Sequence, residues 1–149
     1  MAGIRKSEAR RWFQQATYDL KASSWNIEGG FYDTTCFLAQ QAAEKAAKSL
    51  LYYLGFRKKA LFTHSVTELL RSAGSNDPIF LTYQEYAREL DLHYIPSRYP
   101  NGLPSGFPYR FYSRETAERA FAAATCIVET IRDYYSVRNE TEILSEEEP

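Results

Sequence analysis

Two cysteines, two histidines and one methionine are all that 149 residues contain of those types. The two histidines, His64 and His93, are too few for a His-rich metal site, and no cysteine or glutamate spacing completes one. Glycines stand as the pair Gly29-Gly30 or alone, which excludes a glycine-rich phosphate loop. No serine, histidine and aspartate occur in an order with strand–turn–helix context, so a hydrolase triad has no support. No window reaches 18 apolar residues, and none is expected to span a membrane. The start, MAGIRKSEARRW, lacks the apolar core of a secretory signal. Cys36 and Cys126 each fall in an apolar helical pattern and are expected as buried free thiols in a reducing cytoplasm. No cofactor is implied.

What the chain does have is helical periodicity from end to end. Ser7 can cap a helix running to about Ile27, which Gly29-Gly30 ends. A second helix starts near residues 31–33 and runs to Leu54, with Gly55 just past it. Cys36, Ala39, Ala43, Ala46, Ala47, Leu50 and Leu54 share one of its faces. The alanines there let a neighbouring helix come close. Ser65 and Glu68 fit a capping box that opens a short helix to about Ala73. Asp77-Pro78 opens another, expected to run to about His93. Ser113 caps the last long helix, whose buried face carries Ala117, Ala120, Ala124, Ile127, Val128, Ile131 and Tyr135. No strand alternation is present. The expectation is an all-α, antiparallel up-and-down bundle of three long and two short helices over residues 1–138.

One stretch breaks this pattern. From Tyr94 to Tyr112 the chain reads YIPSRYPNGLPSGFPYRFY and holds four of its six prolines. Proline fixes φ and lacks an amide donor, so this is neither a regular helix nor a central strand. Its six aromatics oppose disorder. It is expected as an ordered proline and aromatic loop before the last helix. Arg98 and Arg110 could clamp phosphate and the aromatic faces could stack on a base. An Ω-like loop packed on its own domain is the alternative.

The formal net charge of −1 conceals a polarity. Residues 139–149 hold five glutamates and no base, and are expected as an unstructured acidic tail. Residues 1–138 then carry 18 basic against 14 acidic side chains, a net of +4. That balance allows contact with a polyanion.

Two constellations could carry chemistry. His64 directly precedes a helix start, close to Arg57, Lys58 and Lys59, and a helix N-terminus favours an anion. Thr63, His64 and Ser65 could equally do no more than cap that helix. Arg57 with His64, and Arg88 with His93, form two arginine–histidine pairs. In a metal-independent ribonuclease, arginine would hold the scissile phosphate and histidine would move a proton near neutral pH.

The run from Cys36 to Leu51, CFLAQQAAEKAAKSLL, resembles the second helix of the HEPN family, as does its spacing to Gly55 and to Thr63-His64-Ser65-Val66. LDLHYIPSRYP, residues 90–100, is similar to a later signature of that family, and Arg10-Arg11-Trp12 with Ala16, Asp19 and Leu20 to its first helix. The resemblance covers roughly residues 7–136. The same type of domain ends the chaperone-like protein sacsin, and the chain is similar to that module as well. The resemblance implies an all-α bundle, commonly a homodimer, that binds nucleotide or RNA. It also implies a frequent partnership with a minimal nucleotidyltransferase in toxin–antitoxin pairs. Some branches are ribonucleases with a polar Asn, Asp or His after the arginine. Here Lys58 follows Arg57 and Glu89 follows Arg88, so a non-catalytic binding protein is expected first, a ribonuclease second, and a structural docking module third. The residues expected to meet ligand are Lys45, Lys48, Arg57, His64, Arg98 and Tyr99. The larger expectation is that Arg57, His64 and Arg98 converge on one cavity.

Overall fold

The computed structural model describes residues 2–147 and, among them, is helical without strands. Three long helices dominate: α1 (Ala2–Glu28), α2 (Tyr32–Leu54) and α6 (Arg114–Val137). Two shorter ones, α4 (Val66–Gly74) and α5 (Gln84–Asp91), pack across them, and α3 (Arg57–Leu61) and α7 (Thr141–Leu144) are single turns. No helix is long and apolar enough to cross a membrane among the described residues.

Helix α2 is the centre, with α1, α4 and α6 all packed on it. Its Ala39, Ala42, Ala43, Ala46 and Ala47 are fully buried. Side chains that stop at Cβ let the neighbouring backbones approach. Small hydroxyl residues then stitch the helices together. Ser23 Oγ donates to the Thr35 carbonyl at 3.0 Å, and Thr35 Oγ1 donates back to the Ser23 carbonyl at 2.9 Å. Ser49 Oγ donates to the Ala9 carbonyl at 2.6 Å and meets the Tyr135 hydroxyl at 2.8 Å, tying α2 to α1 and α6.

The capping residues behave as expected where the signal is local. Gly55 ends α2 at φ 85°, a conformation that costs glycine nothing. Ser65 accepts from the Glu68 amide and Ser113 from the Thr116 amide. Three boundaries differ. Helix α1 begins at Ala2, five residues before Ser7, because no proline or glycine break precedes that serine strongly enough to stop the helix. The helix expected from Pro78 to His93 is split into a 3-10 turn, Pro78–Leu81, and α5. The split buries Phe80 and leaves Tyr83 stacked on Tyr86, ring centroids 5.7 Å apart.

The third difference is at the C-terminus, where the acidic segment is built into the body as far as residue 147. Asn139 takes φ 56° and reverses the chain after α6. Asparagine tolerates this left-handed conformation better than most residues. Helix α7 then lies on α1, with Ile143 fully buried. Glu140 pairs with Lys6 at 3.0 Å and accepts from the Tyr53 hydroxyl at 3.0 Å. Gln14 Nε2 donates to the Ile143 carbonyl at 2.9 Å. Glu148 and Pro149, counted in the expected tail, lie outside the described residues, as does Met1.

Candidate functional site

One side of α2 carries Phe37, Gln40, Gln41, Glu44 and Lys48, a spacing of three or four that stacks them in a row. Glu44 is almost fully buried and its charge is fully met. One carboxylate oxygen accepts from Gln40 Nε2 at 3.3 Å; the other is 3.2 Å from Lys48 Nζ and 3.3 Å from His64 Nδ1. Burying an ion pair is costly unless each lone pair and proton finds a partner. Gln40 serves that purpose and also donates to the His64 carbonyl at 3.1 Å, so it locks the loop before α4 onto α2. Lys48 further lies 5.4 Å from the Trp12 ring centroid, and Trp12 stacks on Tyr52. Lys45 pairs with Asp19 of α1 at 2.5 Å, and Gln15 Nε2 donates to the other oxygen of that carboxylate at 3.0 Å. The two lysines expected to meet ligand are therefore each balanced by an internal carboxylate and join α2 to its surroundings.

The N-terminus of α4, the expected anion slot, is occupied by Asp91. Its Oδ1 accepts from the Val66 amide at 2.8 Å. Its Oδ2 accepts from the Thr67 amide at 3.1 Å and from the Thr67 and Ser65 hydroxyls at 2.8 and 2.9 Å. A carboxylate from the end of α5 thus supplies the negative charge that a helix N-terminus favours. His64 does not cap this helix. Its exposed imidazole stacks on Tyr94, centroids 5.1 Å apart and planes at 21°.

Arg57 lies elsewhere. It opens α3, just past the C-terminal end of α2 at Leu54. Arg98 sits on Phe37. Phe37 and Leu54 are seventeen positions apart on α2, about 25 Å at 1.5 Å per residue. Arg57 and Arg98 accordingly sit toward opposite ends of α2. Glu44, which holds His64, is seven positions from Phe37, about 10 Å along the helix axis, so His64 and Arg98 meet the same side of α2 two turns apart.

Arg98 differs from the other cations. Its guanidinium carbon is 4.1 Å from the centroid of Phe37 and 4.8 Å from that of Tyr99. The plane is held by ring faces, which leaves the N–H edge of the guanidinium open. No carboxylate pairs with it among the described residues. Residues 92–113 contain no aspartate or glutamate at all.

The second arginine–histidine pair is also taken apart. His93 lines a cavity of about 180 Å³ between α5 and α6 with Glu89, Thr116 and Arg119; Arg88 is exposed and is not among the lining residues. Arg119 pairs with Glu89. His93 Nδ1 is 3.4 Å from the Tyr112 hydroxyl, and the two rings meet edge to face. Both histidines therefore anchor one end of the proline loop through a tyrosine, His64 through Tyr94 and His93 through Tyr112. Burial pushes the His93 imidazole below its ordinary value of 6.5; Glu89 opposes this shift and Arg119 adds to it. Below about pH 6.5 the unfolded chain takes up a proton that folded His93 resists. The stability owed to neutral His93 is thus complete above that pH and declines as pH falls through it. Thermal melts between pH 7.5 and 5 are expected to show a steeper loss for the wild type than for His93→Gln.

A broader groove of about 610 Å³ lies on α1, lined by Arg10, Arg11, Trp12, Tyr18, Lys45 and Tyr52 among others. Its cations are engaged: Arg11 with Glu8, Lys45 with Asp19, and Arg10 with the Glu147 carbonyl at 2.5 Å. Asp19, Phe37, Tyr94 and Asp91 are the site residues that sequence reasoning did not single out. Tyr94 and Asp91 stand inside the block resembling a later family signature, Phe37 inside the block resembling the second helix, and Asp19 among the first-helix matches.

The model of the HEPN domain matches residues 9–134. Among solved structures, TT1696 from Thermus thermophilus is 35% identical, with a TM-score of 0.76; the match covers 85% of this chain and 97% of that one. The archaeal HEPN homologue ST0689 is 35% identical over the same shares, with a TM-score of 0.71. An HEPN domain protein from Thermotoga maritima is 33% identical over 85% and 98%, with a TM-score of 0.67. No curated protein sequence is significantly similar to the chain. A matched length of nearly the whole folded body, on an all-helical bundle with identities above 30%, leaves one assignment: the chain belongs to the HEPN domain family.

Proposed function

We propose that the chain binds nucleotide or RNA without cleaving it, and that Arg98 is the group that meets phosphate. The observation that carries this is the ring-held guanidinium of Arg98, which faces no internal acid and stands in a 22-residue run free of carboxylates. A planar fork with open donors suits a phosphate oxygen pair. Tyr99, half-exposed beside it, offers a face to a base. His64 with Tyr94 forms the neighbouring wall. Lys45 and Lys48 hold the wall in place through their carboxylates, and Arg57 contributes from a distance as general positive charge.

The non-catalytic reading is supported by the use of both histidines as packing partners for loop tyrosines, His64 by stacking and His93 edge to face. In its cellular setting the protein acts as a homodimer and as the binding half of a toxin–antitoxin type pair with a minimal nucleotidyltransferase, the partnership its family resemblance implies. Light scattering and co-purification with a nucleotidyltransferase encoded alongside it test those two points.

Calorimetric titration with ATP, GTP and a short RNA tests the central one. Arg98→Ala is expected to weaken binding by at least 10-fold, the cost of hydrogen bonds to a charged group, and Arg98→Lys by less. Absence of saturable binding by the wild type at millimolar nucleotide, and to the RNA, would overturn the reading. RNA cleavage in EDTA that is lost in His64→Ala or His93→Ala would replace it with a ribonuclease.

A further inference from the structure

The loop treats its aromatics in two ways. Tyr94 and Tyr112 are turned inward onto the two histidines. Phe107 and Tyr109 are turned outward, 53% and 59% exposed, and lie parallel, with ring planes at 10° and centroids 5.8 Å apart. Exposed aromatic area forfeits the gain of leaving water, and here two such rings stand side by side. Here they are held out by construction. Pro108 between them is buried and opens a 3-10 turn, closed by the Arg110 amide on the Phe107 carbonyl at 3.1 Å. The Arg110 guanidinium stands 5.8 Å from both ring centroids. It has no carboxylate partner among the described residues.

This repeats the arrangement at Arg98: an arginine flanked by two aromatic rings, with no acid near it in sequence. Aromatic faces alone would suit a protein partner as well. The absence of any carboxylate from residue 92 to 113, with a guanidinium at each ring pair, favours a partner that is both planar-faced and repeatedly anionic. Polynucleotide is that chemistry. We propose that Phe107, Tyr109 and Arg110 form a second base-stacking unit, so that the ligand is a single-stranded RNA of several nucleotides. This rests on the nucleotide- or RNA-binding reading and extends it from one unit to two. The prolines contribute by fixing the loop beforehand, so that little ordering entropy is lost when RNA binds.

The test is fluorescence anisotropy with labelled oligouridylates of two and eight nucleotides. Phe107→Leu/Tyr109→Leu keeps apolar surface at exposed positions but removes the ring faces, and its thermal melt is expected to match the wild type. The wild type is expected to bind the octanucleotide more tightly than the dinucleotide. The leucine variant should lose roughly 10-fold on the octanucleotide, the scale of one base–aromatic stack, with little change on the dinucleotide. Arg110→Glu, at a fully exposed position, should do the same by charge reversal. Arg98→Ala should weaken both lengths. Wild-type octanucleotide affinity in the leucine and Arg110→Glu variants, with Arg98→Ala still impaired, overturns the second unit and leaves the first standing. Loss of self-association with octanucleotide affinity intact assigns the rings to a protein contact and also overturns it. No binding of either length by the wild type removes both readings together.

Discussion

Asp91→Ala is expected to destabilise the fold by about 3 kcal/mol, as the sum of a lost helix cap and lost hydrogen bonds to a charged acceptor. One carboxylate satisfies two backbone amides, Val66 and Thr67, and two hydroxyls, Ser65 and Thr67, at 2.8–3.1 Å. Removal leaves those donors partly buried at the positive end of a nine-residue helix. It also unpins α5 from α4, since Asp91 is the last residue of α5. Asp91→Asn keeps one oxygen acceptor and should cost about half as much. Urea unfolding with an unchanged slope is the measurement, because it separates lost stability from a changed unfolded state. Sulfate or phosphate should stabilise Asp91→Ala more than the wild type, since the vacated N-terminus can then take an anion. A variant within 0.5 kcal/mol of the wild type would show that the cap is supplied in another way.

Helix type and position were legible because their signals are local. The alanine-rich face of α2, Gly55 after it, Ser65 before α4 and Ser113 before α6 each act within one or two turns. Helix extent was less legible. Asp77-Pro78 correctly marks a start, with Asp77 accepting from the Ile79 amide. Nothing local tells a 3-10 turn that stops at Leu81 from a helix that continues; burial of Phe80 against Tyr134 decides it. The serine at position 7 illustrates the converse. A good cap residue ends no helix unless the chain before it leaves the helical conformation.

The site was legible as residue types and not as partners. Lys45 and Lys48 stand out directly after the block Gln40-Gln41-Ala42-Ala43-Glu44, but the acid that balances Lys45 is on another helix, 26 positions away. Asp91 likewise reaches Ser65 from 26 positions away. Arg98 and Tyr99 are neighbours and could be paired from sequence; Phe37, which completes the sandwich, lies on α2 with no pattern linking it to the loop. Sequence reasoning can assign a charge to a helix face. Whether that charge is spent internally depends on long-range packing, and this is why the expected cluster of Arg57, His64 and Arg98 resolves into a row on α2 with Arg57 at a distance.

A chain ended after Arg138 is expected to lose about 3 kcal/mol, the usual range for removing a large buried aliphatic group, which for a domain of this size is roughly 10 °C in melting temperature. The charge count of this segment hides its apolar content. Ile143 is fully buried and Leu144 packs beside it. The hydrogen bonds run with them, from Tyr53 to Glu140 and from Gln14 to the Ile143 carbonyl. Three variants divide the effect. Ile143→Ala should reproduce most of it, about 2–4 kcal/mol. Glu140→Gln should cost no more than about 1 kcal/mol, because Lys6 is partly solvated and glutamine keeps an oxygen for the Tyr53 hydroxyl. A stop after Ser145 removes the Lys21–Glu146 pair, both members of which are about three-quarters exposed, and the exposed hydrogen bond from Arg10 to the Glu147 carbonyl, and should change stability by less than about 1 kcal/mol. The order of these costs, isoleucine far above the glutamates, follows from the segment being held by one side chain in the core and only trimmed by its charges. A 1–138 chain as stable as the full protein would mean that α7 adds nothing to the bundle and that the acidic segment is a tail in the energetic sense.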